Sequence, residues 1–232
     1  MTGEEITFHV DERGCSKVDY GDGRGESDCA NGNVKSQIRK SSDAKLGQSL
    51  EYRFDVWVDP AFGYQGYFEG DAATFRPNGW DSKLRIASWE GEFIKNFVYI
   101  LKLDAKNGAT FFGKQCFPPA DFGKWVPFSM KVRWANDDTG WVKVTCGDRV
   151  IYAEEGEATT RQIQCYYANE CDPTDNNKKP TRINYLLGLA MNGFGKQWAG
   201  TYGADNLFTK LPVEGLTIKM RNVSVTADAE LY

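Results

Sequence analysis

The segment 125–134 constrains the fold more than any other part of the chain, because its side chains alternate between apolar and polar. The apolar positions are Phe128, Met130, Val132 and Trp134. Successive side chains of a β-strand point to opposite faces, so this period of two predicts a strand with one buried face. Turn-forming residues follow at 136–140 and again at 147–148, and each turn leads back into strand-like sequence. The stretch 125–152 therefore predicts an antiparallel meander with a broad polar face, which suits a sheet that binds an extended polymer.

The same alternation recurs along most of the chain, whereas helical periodicity is almost absent. Further strands are predicted at 5–10, 34–39, 49–58, 83–89, 97–103, 109–112, 184–190 and 216–226. With 232 residues, 41% of them hydrophobic, the chain can bury one large core. About a dozen short strands at this spacing are typical of a sandwich of two packed sheets. We find no internal repeat and no linker, so we predict a single all-β domain over residues 1–232.

The net charge of −4 argues against nucleic acid as a partner, because nucleic-acid-binding proteins carry basic surfaces. A local basic groove on a mildly acidic protein can still bind an anionic sugar polymer. No run of residues approaches the roughly 20 apolar residues of a membrane span. We therefore expect neither a nucleic-acid nor a membrane partner, and we expect a monomer.

Six cysteines, an even number, indicate a set of disulfides and hence an exported protein. Two pairs bracket loops rich in Gly, Asp and Asn, and a third pair remains: Cys15/Cys29, Cys165/Cys171 and Cys116/Cys146. Other connectivities, or six reduced thiols, stay open at this point. The residues after Met1 do not resemble a signal peptide, which indicates either an intracellular protein or the mature part of an exported one. Because the cysteines favour the second, we expect a secreted protein. Zinc is not expected, because there is no Cys-x-x-Cys motif and His9 is the only histidine.

A candidate binding surface lies on the predicted strand 34–39. Lys35, Gln37 and Arg39 are spaced by two, so their side chains point to one face. Arginine binds a carboxylate with two parallel hydrogen bonds, and glutamine adds a further one. Arg85, on the predicted strand 83–89, is a fourth candidate for this surface. The alternative is an ordinary solvated strand face.

Several segments, in order along the chain, carry a resemblance to a known family. They are Lys35-Ser-Gln-Ile-Arg39, Leu84-Arg-Ile-Ala-Ser-Trp-Glu-Gly91, the stretch from Gly123-Lys-Trp125 through Tyr152, Tyr185-Leu-Leu-Gly-Leu-Ala-Met-Asn192 and Met220-Arg-Asn222. Together they resemble the jelly-roll polysaccharide lyases, a group that includes alginate, glucuronan and heparin lyase I-type enzymes. The first segment is similar to an Arg-Ser/Thr-Glu-Leu-Arg strand of these lyases, and the second to their Gln-x-His-Gly segment. The fourth stands where they carry Tyr-Phe-Lys-x-Gly-x-Tyr.

This resemblance implies a β-jelly-roll sandwich with a concave polysaccharide-binding face, and cleavage of a uronate polymer by β-elimination. That reaction needs a neutralised carboxylate, a base and an acid. The catalytic candidates are Arg39, Gln37, Tyr185 and Tyr202, and the substrate-binding candidates are Lys35, Arg85, Trp198 and Asn192. Tyr64 and Tyr67 are further candidates for the base. A phenol titrates at about 10, so neighbouring Arg or Lys charge would have to stabilise its phenolate.

The sequence departs from these lyases at three motif positions. Ala87, Ser88 and Trp89 replace the Gln/His pair, Ala190 or Met191 replaces the proton-donating tyrosine, and Leu186 or Leu187 replaces a lysine. A carbohydrate-binding protein without catalytic activity is therefore an alternative function. A glycoside hydrolase is another, with Glu90 and Glu92 as its two carboxylates, although Gly91 between them favours a solvated turn.

Most of the seven tryptophans are expected in the core, because aromatic side chains of strands pack between sheets. Trp198, in a glycine-rich segment, is the one we expect at the surface, and His9 is interpreted as a surface residue. We expect no cofactor. The alternative is calcium in an acidic loop that we otherwise interpret as solvated, with the ligands Asp19, Asp22, Glu26 and Asp28.

Overall fold

A computed structural model describes residues 4–10, 34–62, 84–91, 97–160, 180–191 and 215–231, and all structural statements below concern these residues. The strands are β1 (Ile6–Val10), β2 (Val34–Lys45), β3 (Ser49–Val58), β4 (Leu84–Gly91), β5 (Phe97–Asp104), β6 (Gly108–Phe111), β7 (Lys114–Phe117), β8 (Val126–Arg133), β9 (Trp141–Cys146), β10 (Arg149–Glu155), β11 (Arg182–Met191) and β12 (Leu216–Ala227). The only helix in these ranges is one 3-10 turn, Pro119–Asp121. None of the described segments forms a helix long and apolar enough to cross a membrane.

The strands form two six-stranded sheets. Sheet A has the order β1-β12-β3-β8-β9-β10, and sheet B has the order β2-β11-β4-β5-β6-β7. Neighbouring strands are antiparallel throughout both sheets. The apolar faces of the two sheets pack against each other around one buried cluster. The predicted sandwich of two antiparallel sheets is confirmed.

The meander predicted from residues 125–152 is present, and it consists of β8, β9 and β10. Gly147, with φ of +57°, turns the chain directly after β9. The alternating apolar residues face the core, where Met130 pairs with Val144. In the turn between β8 and β9, the Asp137 carboxylate accepts bonds from the Thr139 hydroxyl at 2.6 Å and the Thr139 N–H at 3.0 Å. Both bonds, the hydroxyl first, hold the pKa of Asp137 below its usual value.

An aromatic cluster fills the space between the sheets. Trp89 of β4 stacks on Tyr185 of β11 with ring centroids 5.2 Å apart. Tyr52 of β3 meets Tyr185 edge-on at 4.8 Å, and its hydroxyl accepts a bond from Trp134 Nε1 at 3.3 Å. Burial of a large apolar side chain contributes about 1.5–3 kcal/mol. The cluster therefore holds sheet A against sheet B.

The tryptophans are divided between the core and partly exposed positions. Trp89 and Trp134 are fully buried, as predicted. The half-buried ones are Trp57, Trp125 and Trp141. The prediction of a core position is wrong for these three, since Trp57 and Trp141 alternate with core residues and point to the outer face of sheet A. Outside the described residues lie Trp80 and Trp198.

One disulfide joins the two sheets. Cys116 of β7 and Cys146 of β9 are bonded, with their Cα atoms 5.3 Å apart and both side chains 2% exposed. This pairing is confirmed as predicted. The other four cysteines lie outside the described residues, so the pairs Cys15/Cys29 and Cys165/Cys171 stay predictions.

Two strands differ from the sequence prediction. β2 continues to Lys45 rather than ending at Arg39, although residues 40–45 are almost all polar. Because β2 is an edge strand of sheet B, it forms a ladder with β11 without having to bury these side chains. β7 was missed altogether, since its four residues do not alternate: two exposed polar residues precede two buried apolar ones.

Candidate functional site

Three of the segments that resemble the jelly-roll lyases lie on neighbouring strands. The segment 35–39 is part of β2, 84–91 forms β4, and 185–191 belongs to β11. In sheet B these strands are adjacent, in the order β2-β11-β4. Segments that are far apart in the sequence thus meet on one half of one sheet.

The outer face of sheet B, the face turned away from sheet A, carries a row of basic side chains. Ala190 of β11 pairs with Lys35 on one side and with Arg85 on the other. Arg85 in turn pairs with Lys102 of β5. We call Lys35, Arg85 and Lys102 the basic row. Strands are spaced by about 4.8 Å, so the three strand spacings from Lys35 to Lys102 span roughly 14 Å.

Gln37 and Arg39 continue this surface along β2. Arg39 pairs with Leu186, and Gln37 pairs with Gly188, which has no side chain. The buried Nε2 of Gln37 has no hydrogen-bond partner among the described residues. A buried donor without an acceptor costs about 1–3 kcal/mol. A ligand carboxylate would satisfy this donor only after the groups that shield it from solvent have moved.

Burial divides this face into an open edge and a covered centre. Lys35 and Arg39 are exposed on the edge strand. In the centre, by contrast, Arg85 is 7% and Ser88 0% exposed. A polymer that reaches this surface meets Lys35 and Arg39 first.

Tyr185, a candidate base by sequence, does not lie on this face. It is 4% exposed and packs between the sheets with Trp89 and Tyr52. Its neighbour Leu186 is the residue that pairs with Arg39 on the outer face. The backbone of β11 thus separates the Tyr185 phenol from Arg39, and we do not carry Tyr185 into the proposed chemistry. Outside the described residues lie the candidates Tyr202, Trp198, Asn192, Tyr64 and Tyr67.

Glu90 lies within β4, so the interpretation of this residue as part of a solvated turn is wrong. It pairs with Asn184 on the outer face of sheet B and accepts a 3.4 Å bond from the Ser88 hydroxyl. Glu92, its partner in a hydrolase, lies outside the described residues.

The remaining candidates concern metals and the single histidine. Within the described ranges no group of three or more His, Cys, Asp or Glu side chains could hold a metal ion. The acidic loop 19–28 lies outside them, so the calcium alternative stays an expectation. His9 is exposed, as predicted, with Nδ1 2.9 Å from the Thr217 hydroxyl.

Lys102 is a residue of this surface that the sequence analysis missed. It is the only charged residue of the run 97–103, where it stands between Leu101 and Leu103. A lone lysine in an otherwise apolar strand is a signal that points to the outer face. Its alignment with Arg85 follows only from the strand pairing.

Comparison with solved structures identifies the architecture. The crystal structure of the endo-β-1,4-glucuronan lyase from the fungus Trichoderma reesei aligns with a TM-score of 0.56 and 13% identity, over 95% of this chain and 79% of that one. The chain has the jelly-roll lyase fold. Among other structures with this fold, the PL-14 alginate lyase from Aplysia kurodai aligns with a TM-score of 0.41 and 12% identity, over 97% and 83% of the two chains. The PL7 alginate lyase from Zobellia galactanivorans gives 0.36 and 9%, over 84% and 71%.

At 13% identity the likeness to the glucuronan lyase establishes the fold alone, and the chemistry has to be argued from the residues themselves. The resemblance seen in the sequence is confirmed at the level of the fold. No protein-family model matches the sequence, and no curated protein matches it either.

Proposed function

We propose that this protein is a polysaccharide lyase that cleaves a uronate-containing polymer by β-elimination. The observation that carries the proposal is the placement of Arg39 and Gln37 beside the basic row, on the half of sheet B where the three segments that resemble the lyase motifs meet. The common fold with a glucuronan lyase supports it. Glucuronan is accordingly the first substrate to test.

Arg39 and Gln37 would neutralise the sugar carboxylate. A guanidinium binds a carboxylate through two parallel hydrogen bonds, and the Gln37 amide supplies the donor that lacks a partner. Neutralisation makes the proton on the carbon next to the carboxylate more acidic. Lys35 and Arg85 would bind neighbouring carboxylates along the row.

The elimination then needs a base that removes a proton and an acid that protonates the leaving oxygen. The base removes the proton on the carbon beside the carboxyl group, and that electron pair forms a carbon–carbon double bond. The bond to the leaving glycosidic oxygen breaks, and the acid protonates this oxygen. We propose Tyr202 as the base, because Tyr185, the other tyrosine among the catalytic candidates, is held in the core.

Trp198 and Asn192 are proposed as substrate contacts. Asn192 directly follows the end of β11 at Met191, which pairs with Val34 at the end of β2 where Lys35 lies. Trp198 follows in the same connection, and an indole ring offers a flat surface to a sugar ring.

The activity assay separates the three candidate functions. The protein is incubated with glucuronan, alginate, heparin and xanthan, while ultraviolet absorbance and new reducing ends are followed. Elimination produces both signals, because it leaves a conjugated unsaturated uronate. Reducing ends without absorbance would indicate a hydrolase. The absence of both signals with all four polymers would contradict the lyase proposal.

A binding protein without catalytic activity is the second candidate, and a specific observation favours it. At the positions of the Gln/His pair, Ala87 and Trp89 face the core and the outer-face residue is the fully buried Ser88. A serine hydroxyl there supplies no group that titrates near neutral pH. Retained binding of glucuronan with no turnover would support this function.

We also propose that the protein acts outside the cytoplasm. A buried disulfide between Cys116 and Cys146 persists in an oxidising compartment, and acidic polysaccharides are extracellular polymers.

A further inference from the structure

A cavity with several charged residues in its lining lies on the opposite side of the sandwich from the candidate lyase site. It has a volume of about 550 Å³ and opens on the outer face of sheet A, over β3, β8, β9 and β12. Ligand sites in proteins usually have volumes of about 300–1,000 Å³. The cavity is therefore large enough for a small ligand or for one part of a polymer.

Two lysines face each other in this cavity. Lys131 of β8 and Lys143 of β9 are directly opposite in the antiparallel ladder. Directly opposite residues have Cβ atoms about 4.5–5.5 Å apart, and like charges at such positions destabilise a sheet. Lys143 donates to the backbone carbonyl of Leu231 at 3.4 Å. An anion between the two ammonium groups would remove their repulsion.

The acidic residues of the cavity are already paired with other groups. Glu51 Oε1 accepts bonds from Arg53 at 3.1 Å and from the Ser129 hydroxyl at 2.8 Å. Asp55 Oδ2 lies 3.0 Å from Arg221 Nε. Lys131 has neither an ion pair nor a hydrogen bond to any residue of the described ranges, although Glu51 is its cross-strand neighbour. The cavity thus contains a cation that an external anion can pair with.

The rest of the lining favours a sugar over a simple anion. The hydroxyls of Ser129 and Thr145 lie side by side on paired strands. Oε2 of Glu51 and Oδ1 of Asp55 accept no bond from the residues that the structure describes. These oxygens can accept hydrogen bonds, which sugar hydroxyls donate and a phosphate dianion does not.

We propose that this cavity binds acidic sugar units of a polysaccharide, with one sugar carboxylate between Lys131 and Lys143 and hydroxyls of that sugar on Glu51. Asp55 lies four residues, about 13 Å, further along β3, so it accepts from a hydroxyl of a neighbouring sugar unit. The cavity is a second binding site, distinct from the surface of Arg39. Because none of the described residues of sheet B lines it, the site does not depend on the proposed lyase activity. A second site on the far face would hold a long chain near the protein between encounters with the first.

The test is an NMR titration of the labelled protein with a short saturated glucuronate oligomer. The amide signals of Thr145 and Ser224 report on the cavity, and those of Leu186 and Ala190 report on the candidate lyase site. We expect the first pair to shift on titration. In the double variant Lys131→Gln/Lys143→Gln the affinity of that site should fall about tenfold or more, the scale of a lost charged hydrogen bond. Lys124→Gln is the control for each of the two replacements, since it removes one positive charge from a side chain that is 67% exposed outside the cavity.

The outcomes distinguish this site from the lyase proposal. Shifts confined to Leu186 and Ala190 would overturn the second site and leave the first intact. Equal affinity in the double variant and in wild type would also overturn it. If inorganic phosphate or a neutral cello-oligosaccharide produces the same shifts at the same concentration, the assignment to an acidic sugar is wrong.

Discussion

Among single residues, Arg39 is the one that we propose to neutralise the sugar carboxylate, the step with which β-elimination begins. Its position on an exposed edge strand also means that it contributes little to the core. Arg39→Ala should therefore leave the melting temperature unchanged and weaken glucuronan binding by about 1.5–3 kcal/mol. Arg39→Lys should restore only part of the loss, since the two parallel bonds are gone. Calorimetric titration and initial rates measure both effects.

The matched control for Arg39 is its neighbour Lys40. Lys40 pairs with the core residue Tyr185, so it lies on the other face of β2. Lys40→Ala should bind and turn over as wild type does. An Arg39→Ala variant with normal turnover and a melting temperature several degrees lower would show that Arg39 is structural.

The two tyrosines named by the sequence should behave differently. Tyr202→Phe should reduce turnover by about 10²–10⁴-fold, the usual contribution of a general base, without lowering stability. Tyr185→Phe should keep its turnover, because the ring packs between Trp89 and Tyr52 and only the hydroxyl is lost. The measurement is the rate of absorbance increase with glucuronan, beside thermal unfolding of each variant. The opposite result would move the base to Tyr185 and contradict the placement of its phenol in the core.

The core position of Tyr185 is a feature that the sequence of β11 does not predict. Residues 183–190 of β11 are buried throughout. Alternation identifies the outer face of a strand only when one set of positions is polar, as it is for Lys35, Gln37 and Arg39. In β11 the outward Leu186 and Ala190 are as apolar as the core residues, so the sequence alone does not show which way Tyr185 points.

Among the elements, the contact between β11 and β2 decides the geometry of the candidate site, and Gly188 is its most constrained point. Gly188 has φ of +109°, and a Cβ there would overlap with the Ser36 carbonyl oxygen and approach the Phe8 ring to 2.6 Å. Gly188→Ala should therefore push β2 away from β11 and displace Gln37, the residue opposite. We expect a loss of roughly 3 kcal/mol or more in the free energy of unfolding, from strain and overlap together.

Gly113→Ala is the control for that loss. Gly113 also has a positive φ, of +70°, but a Cβ there meets nothing within 4 Å. This variant should lose only the backbone penalty of about 1–2 kcal/mol. Urea denaturation of both variants measures the difference. Equal losses would mean that β2 and β11 are not as closely packed at Gly188 as the structure shows.

In the whole molecule, the sequence predicts where the strands lie along the chain far better than how they are arranged in the sheets. The period of two is a local property, which is why the strands and the buried faces of β3 and β8 were predicted. The pairing of Lys35 with Ala190 joins opposite ends of the chain, and no local pattern specifies it. The basic row therefore depends on the order of the strands in the sheet. Lys102 was recognised as part of it only from the pairing of β5 with β4.

The disulfide between the sheets is the feature of the whole molecule whose energy can be tested directly. Cys116 and Cys146 are separated by 30 residues, and closing a loop of that length restricts the unfolded chain by about 3.5 kcal/mol. Cys116→Ala/Cys146→Ala should lower the free energy of unfolding by that amount. The urea m-value should rise, because the unfolded chain expands.

Variants serve better than a reducing agent here, since the chain has four other cysteines. β7 lies five strand spacings, about 24 Å, from β2, so turnover below the melting temperature should be unchanged. Unaltered stability would show that this bond does not link the sheets.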